Sequence, residues 1–438
     1  FAAVAFPFNP KLTNTHRTCL ALFGRTNAGW FDRFGIDYLT REVYVAFYPG
    51  YGASWPAYFG SIAMTYEQAS ARGLKVRQYD GNVMTYAETV RNHFLTSMGT
   101  LETVAENRRQ LLESFHAYQR SAVDEGQRED IRAYVLSTDR DYDGLERLGA
   151  LLAVQGAEVG RATEDFAACG RDFAADSLVI NLDQPAKRLL RTLLDRHVAM
   201  EADFVAEQER RRDKNLGDEI YDITAWSLPL LFNIESTGCS TRVETATAPV
   251  DPAQLPTRPA LQRASVSYLV PWGERSAVQL LSRALRAGVV LSSSDRAFTT
   301  GGREYPAGTL IIDVADNVED SVEDNVADNA TELHEQLSAW SRETRATVVP
   351  VSDSWVSDGP SFGSPKVQRM PAPRVALAWD EPTSQYSAGN FRFVVERQFD
   401  YPVTPIRVAQ LRGSDLEGVD VLVLPDRGAG DYIDAIGE

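Results

Sequence analysis

The sequence predicts an α/β protein of several domains, and three observations carry that prediction. A pattern of strand, helix, Gly turn and further strands occurs twice at a near-constant offset. A third strand–helix–strand succession closes the chain. The 438 residues correspond to about three domains at ~150 residues each, and 44% hydrophobic residues are ample for their cores.

The first element with chemical content is Phe47 to Gly73, FYPGYGASWPAYFGSIAMTYEQASARG. Its stretch Gly60 to Tyr66 has the small and β-branched residues of a strand and ends in one acid, Glu67. A carboxylate on a rigid strand, beside an aromatic and Gly-rich loop able to close over substrate, suits a general base. The loop Tyr48-Pro49-Gly50-Tyr51-Gly52 supplies two phenols and turn-forming residues.

At Tyr48, Trp55 and Tyr66-Glu67 the chain resembles the carboxypeptidase A-like zinc carboxypeptidases, most closely a branch of large bacterial members. The resemblance implies that residues 1–98 are the C-terminal part of an α/β catalytic domain. It makes Glu67 the general base and Tyr48 the loop tyrosine that folds over substrate, with Tyr51 competing for that role. Tyr51 and Trp55 would then contact a peptide substrate. It also implies zinc, bound through an HxxE pair and a later His, and arginines that hold the substrate's terminal carboxylate. None of those motifs is in this sequence.

The activity implied is removal of C-terminal residues from peptides by metal-activated water, and the family suggests a secreted or periplasmic setting. Two alternatives stand beside it. One is a catalytically dead, peptidase-like binding protein; the other is a zinc amidohydrolase acting on cell-wall peptides. The chain starts at Phe1 without Met and stops after Ile436-Gly437-Glu438 inside an apparent domain, so a fragment lacking the zinc ligands is expected, with zinc supplied in the intact protein.

The five histidines are His16, His93, His116, His197 and His334. His197 and Glu201 are spaced to share a helix face, and His16 with Cys19 makes a lone HxxC. Either pair supplies two ligands where catalytic zinc takes about three, so no metal site is predicted in this chain. The balance of 44 basic and 61 acidic residues gives a net charge of −17, which argues against nucleic acid and anionic membranes as partners. No apolar run approaches the ~20 residues of a membrane span. Cys19, Cys169 and Cys239 are odd in number and widely spaced, which predicts buried or incidental thiols.

After Gly73, helices are predicted from Thr85 to Ser97 and from Leu101 to Val123, the latter within a connector at 99–130. Val104, Leu111, Leu112, Phe115 and Tyr118 fall at intervals suited to one apolar packing stripe. The repeat follows in modules at 131–245 and 262–370. Phe166-xxx-Gly170-Arg171-Asp172-Phe173 recurs as Phe298-xxx-Gly302-Arg303-Glu304-Tyr305, with Leu178-Val179-Ile180 matching Leu310-Ile311-Ile312. Each copy reads as the start of a βαβ unit, and its GR-[DE]-[FY] element as a tight hairpin turn. Arg171 and Arg303 are expected to pair with the neighbouring acid.

Within the first module a charged helix is predicted over Glu201 to Lys214, and Asp218, Glu219 and Asp222 are expected to decorate a helix end. Residues 246–261, rich in Pro, read as a linker. The acidic run Asp313 to Glu332 lacks the spacing of a calcium loop and reads as a solvated insertion before a helix at Leu333 to Ser341. From 371 onward, apolar strands end at Asp380 and Asp426, with a helix expected over Phe391 to Phe399. This resembles the start of a flavodoxin-like, glutamine-amidotransferase-like domain, whose sheet would bind ligands at those strand ends. No Cys follows Cys239, so an ancillary, non-catalytic domain is expected there.

Overall fold

A computed structural model describes residues 5–40, 45–139, 141–219, 225–317, 326–413, 415–427 and 431–437. The protein is mixed α/β with several small sheets. Two compact units divide it, Phe1–Thr138 with Arg147–Leu255, and Asp139–Glu146 with Pro256–Glu438.

The first unit opens with β1 (Ala5–Phe8), α1 (Asn14–Phe34) and β2 (Val45–Ala46), which pairs parallel to β1. After a single 3₁₀ turn at Trp55–Phe59 comes the hairpin β3 (Lys75–Arg77) and β4 (Val83–Thr85), then α2 (Tyr86–Gly126). Thr85 starts α2 with a reciprocal cap. Its hydroxyl accepts from the Glu88 amide at 3.3 Å, and the Glu88 carboxylate accepts from the Thr85 amide at 2.7 Å, which satisfies two otherwise orphaned donors. The two predicted helices are therefore one, which runs through residue 98 and is kinked at Asn107.

The packing of α2 also corrects the expected apolar stripe. Thr89, Thr96, Gly99 and Thr103 are buried, whereas Val104, Leu112 and Phe115 are exposed and only Tyr118 of the predicted set is deeply buried. Small residues let α1 approach closely: a Cβ at Gly99 would lie 2.4 Å from the Asn27 side-chain oxygen.

The first module contains β5 (Ala133–Ser137), α3 (Tyr142–Val154), β6 (Gly160–Ala162), β7 (Phe166–Ala168), β8 (Arg171–Phe173) and β9 (Leu178–Asn181). There follow α4 (Lys187–Leu194), α5 (Ala202–Asp213), α6 (Leu228–Leu231), β10 (Glu235–Cys239) and β11 (Thr247–Pro249). The second unit repeats the plan with β12 (Ser267–Val270), α7 (Arg275–Arg286), β13 (Ser292–Ser294), β14 (Phe298–Thr300), β15 (Arg303–Tyr305) and β16 (Leu310–Asp313). It adds α8 (Val326–Thr344), β17 (Val349–Val351), β18 (Val356–Asp358) and β19 (Val367–Arg369).

The two modules share one topology. Sheet orders are β10-β5-β9-β6-β11 and β17-β12-β16-β13-β19, with every neighbour antiparallel. The predicted βαβ unit is therefore split: β5 and β6 run parallel, joined through α3, but β9 lies between them. The hairpin turn is as expected in both copies. Cys169-Gly170 (φ 55° and 74°) and Gly301-Gly302 (φ 58° and 74°) both occupy the left-handed region that a two-residue hairpin turn demands.

Four expectations need correction here. Cys169 and Cys239 form a disulfide; 70 residues apart in sequence, they are brought together by the hairpin and the β10 edge, which spacing alone does not reveal. Arg171 of the β7–β8 hairpin pairs with Glu235 of β10, in the five-stranded sheet, at 2.6 Å, not with Asp172, because its neighbour's side chain points to the other face of the strand. Thr247–Pro249, inside the predicted linker, is the sheet strand β11. The helix expected at Leu333 to Ser341, after the acidic run, is longer and starts within the run, spanning Val326–Thr344; residues 318–325 of that run, and Asp222, lie outside the described residues.

The C-terminal part comprises β20 (Val375–Ala378), α9 (Gln385–Arg392), β21 (Val403–Ile406), α10 (Val408–Leu411), β22 (Val421–Val423) and α11 (Tyr432–Ile436). Its three strands are parallel in the order β21-β20-β22. The helix expected at Phe391–Phe399 begins earlier, at Gln385, where Ser384 caps it by accepting from the Ser387 amide.

Candidate functional site

Glu67 does not end a strand. Residues 61–71 carry no regular secondary structure, because their backbone has no partner strand; side chains hold the segment instead. Tyr66 Oη accepts a hydrogen bond from Asn27 Nδ2 of α1 at 2.9 Å and lies 2.8 Å from Thr100 Oγ1 of α2. Thr100 Oγ1 donates onward to the Thr96 carbonyl at 2.8 Å, so it accepts from the Tyr66 phenol. On the other side of Glu67, Gln68 Oε1 accepts from Asn92 Nδ2 of α2 at 2.9 Å. Residues 66 and 68 thus face the helices, and Glu67 between them is exposed, as the two-residue alternation of an extended chain requires.

The aromatic loop assembles elsewhere in the same unit. The rings of Tyr48 and Tyr51 meet edge to face with centroids 5.1 Å apart. Tyr48 also packs on Trp226 at 5.7 Å, and Phe47 meets the same indole at 5.4 Å. Trp226 is fixed from the far side, donating through Nε1 to the Thr192 carbonyl of α4 at 3.0 Å. Gly50 is required here by close approach: a Cβ on it would fall 2.5 Å from the Tyr48 ring.

Tyr48, Trp55 and Trp226 line one pocket of about 180 Å³ with leucines of α3, α4 and α6, including Leu152, Leu193 and Leu231. Among the described residues its lining is aromatic and aliphatic apart from Gln155, a chemistry suited to an apolar, ring-sized group. The structure therefore places Tyr48 and Trp55 on one pocket, with Tyr51 packed against Tyr48, and leaves Glu67 outside that pocket. Trp226, not one of the expected site residues, is central to this pocket; in the sequence its signal is an aromatic residue close behind Asp218, Glu219 and Asp222.

Those acids are neutralised locally: Asp218 pairs with Arg212 and Glu219 with Arg211 of α5, at 3.1 and 3.0 Å. Of the paired metal-ligand candidates, His16 is buried and bonded to Thr13 Oγ1 through Nδ1 at 3.0 Å, and the Glu201 carboxylate is held by Arg17. Among the described residues, no three His, Cys, Asp or Glu side chains converge as a metal would need. At the C-terminal sheet, Asp380 accepts from the Val408 amide at 2.7 Å and from Arg407 at 3.3 Å; its carboxylate is engaged in capping α10. Asp426 is exposed at the adjoining strand end.

No protein-family profile, curated protein or solved structure matches the chain. No helix among the described residues is long and apolar enough to cross a membrane.

Proposed function

We propose that this chain carries the proton-transferring carboxylate and the substrate-covering loop of a carboxypeptidase-type zinc peptidase. The observation that supports it most is the mounting of Glu67. Its two neighbours are tied to α1 and α2 through Asn27, Thr100 and Asn92, while its own carboxylate faces water, free to take a proton from an attacking water and return it to the leaving amine. Tyr48 and Tyr51 offer phenol donors to the substrate backbone, and the pocket beside them accepts an apolar side chain. The described residues do not fit zinc, so no step is routed through a metal here. The resemblance of the 371–438 region to a flavodoxin-like sheet is part of the same proposal, and the parallel 2-1-3 strand order supports it.

The test is Glu67→Gln in the full-length protein, assayed on peptides and on cell-wall muropeptides. Release of C-terminal residues should fall on the order of 10²-fold or more, and the preferred substrate separates peptidase from amidohydrolase. An unchanged rate would remove Glu67 from the mechanism.

A second reading has its own observation. The pocket's aromatic and aliphatic wall, as the described residues form it, suits a peptidase-like protein that binds apolar groups without catalysis. Full-length protein that binds peptides with apolar termini yet releases no residue from them would favour it.

A further inference from the structure

Helix α2 is amphipathic in the wrong sense for a buried connector. Its packed face carries mostly small residues, Thr89, Thr96, Gly99 and Thr103, with Leu95 and Tyr118, while Tyr86, Val90, Phe94, Leu101, Val104, Leu112 and Phe115 are 43–69% exposed. At 100° per residue Tyr86, Val90, Phe94, Leu101 and Val104 fall within an arc of about 80° ahead of the kink at Asn107, and beyond the kink Leu112 and Phe115 extend this exposed apolar stripe. Only Ser97 and the single cation Arg108 interrupt it, and no acid lies on it.

We propose that this stripe is a self-association surface on which two copies of the chain pair their α2 helices antiparallel about Leu101. The stripe is nearly palindromic around that residue. Phe94 and Arg108 lie seven residues to either side of Leu101, Val90 and Leu112 lie eleven, and Tyr86 and Phe115 lie fifteen and fourteen. A two-fold axis through Leu101 therefore sets Val90 against Leu112, Tyr86 against Phe115, and Phe94 against Arg108. The last is a cation–π pair instead of a like-charge contact, and each contact occurs twice, as an isologous interface requires.

The area is sufficient. Seven side chains offering roughly 100 Å² each give about 700 Å² per copy, close to the ~800 Å² per partner of a standard interface. A lipid surface is the poorer occupant, since interfacial helices pair their apolar face with a cationic one and this chain carries a net charge of −17. The inference does not need Glu67 to be catalytic, but if residues 1–98 end a larger catalytic domain, the preceding part of that domain is the competing occupant of the stripe.

The experiment is sedimentation equilibrium of the 438-residue chain across a micromolar series, with Leu101→Asp and Leu101→Cys. The expected result is a reversible dimer. Leu101→Asp should raise its dissociation constant at least ~100-fold by facing two buried charges across the axis, while monomer melting stays unchanged because Leu101 is 62% exposed. Leu101→Cys should cross-link to a covalent dimer with a short bis-maleimide, Cys19 being buried and the other two cysteines bonded. A chain that remains monomeric throughout would overturn the proposal and leave the stripe to a different polypeptide. So would a dimer indifferent to Leu101→Asp and refractory to cross-linking through residue 101.

Discussion

Cys169 and Cys239 are joined with their Cα atoms 5.2 Å apart, tying the β7–β8 hairpin turn to the last residue of the edge strand β10. Cys239 is fully buried, in a cluster with Ala133, Val135, Phe173 and Val179. The bond closes a loop of 70 residues, and in the chain-entropy account such a loop contributes about 4 kcal/mol. Reduction, or Cys239→Ser, should lower the stability of the first unit by roughly that amount. Denaturant melts with and without reductant check it, and equal midpoints would mean the bond contributes nothing. Bonds of this kind persist in oxidising compartments.

A second expectation concerns acid. His16 is buried, packs edge to face on Tyr118 with centroids 4.8 Å apart, and has its pKa lowered to about 4 by burial and then by the Arg188 charge. The folded state holds the imidazole neutral, whereas the unfolded chain protonates it near 6.5. Stability is therefore full above pH 6.5 and declines as pH falls from 6.5 to about 4, by about 3 kcal/mol in all. His16→Gln should flatten that part of the stability profile. A profile equally steep in the variant would assign the loss to other groups.

Gly126 closes α2 against the chain leaving β9. A Cβ there would stand 1.9 Å from the Leu182 carbonyl oxygen, and neither backbone has a rotamer with which to yield. Gly126→Ala should cost about 3 kcal/mol or more, whereas Gly52→Ala, with no atom within 4 Å, should be nearly neutral. Thermal melts of the two proteins make the comparison.

The aromatic pocket gives a paired prediction. Trp226→Ala removes a half-buried indole that supports Phe47 and Tyr48 and should destabilise by about 3 kcal/mol. Tyr48→Phe keeps the packing and loses only the phenol, so it should leave melting unchanged and weaken peptide binding about 3–10-fold, the worth of one hydrogen bond. Titration calorimetry with a peptide ending in a large apolar residue reads the difference. Equal affinity in Tyr48→Phe would exclude its hydroxyl from recognition.

The repeat was legible because hairpin chemistry is local. Gly170 and Gly302 sit where a two-residue turn needs positive φ, and apolar runs such as Leu178–Ile180 follow at fixed distance. The charged helix expected over Glu201 to Lys214 is α5, Ala202–Asp213. The strand ending at Glu67 was misread, since small and β-branched residues there meet no partner strand and are held by Asn27, Thr100 and Asn92 instead. The stripe on α2 was seen in outline, but its direction was not, because periodicity identifies a face without saying what lies opposite it.

Local patterns thus settled the α/β class, the duplicated module and the hairpin turns. Folding decided what distance along the chain conceals: the antiparallel insertion of β9, the union of Cys169 with Cys239, the seating of Tyr48 on Trp226, and the separation of Glu67 from that pocket. Turn and helix preferences depend on residues a few positions apart and are written in adjacent letters. Contacts between residues 48 and 226, or 169 and 239, depend on how whole elements pack.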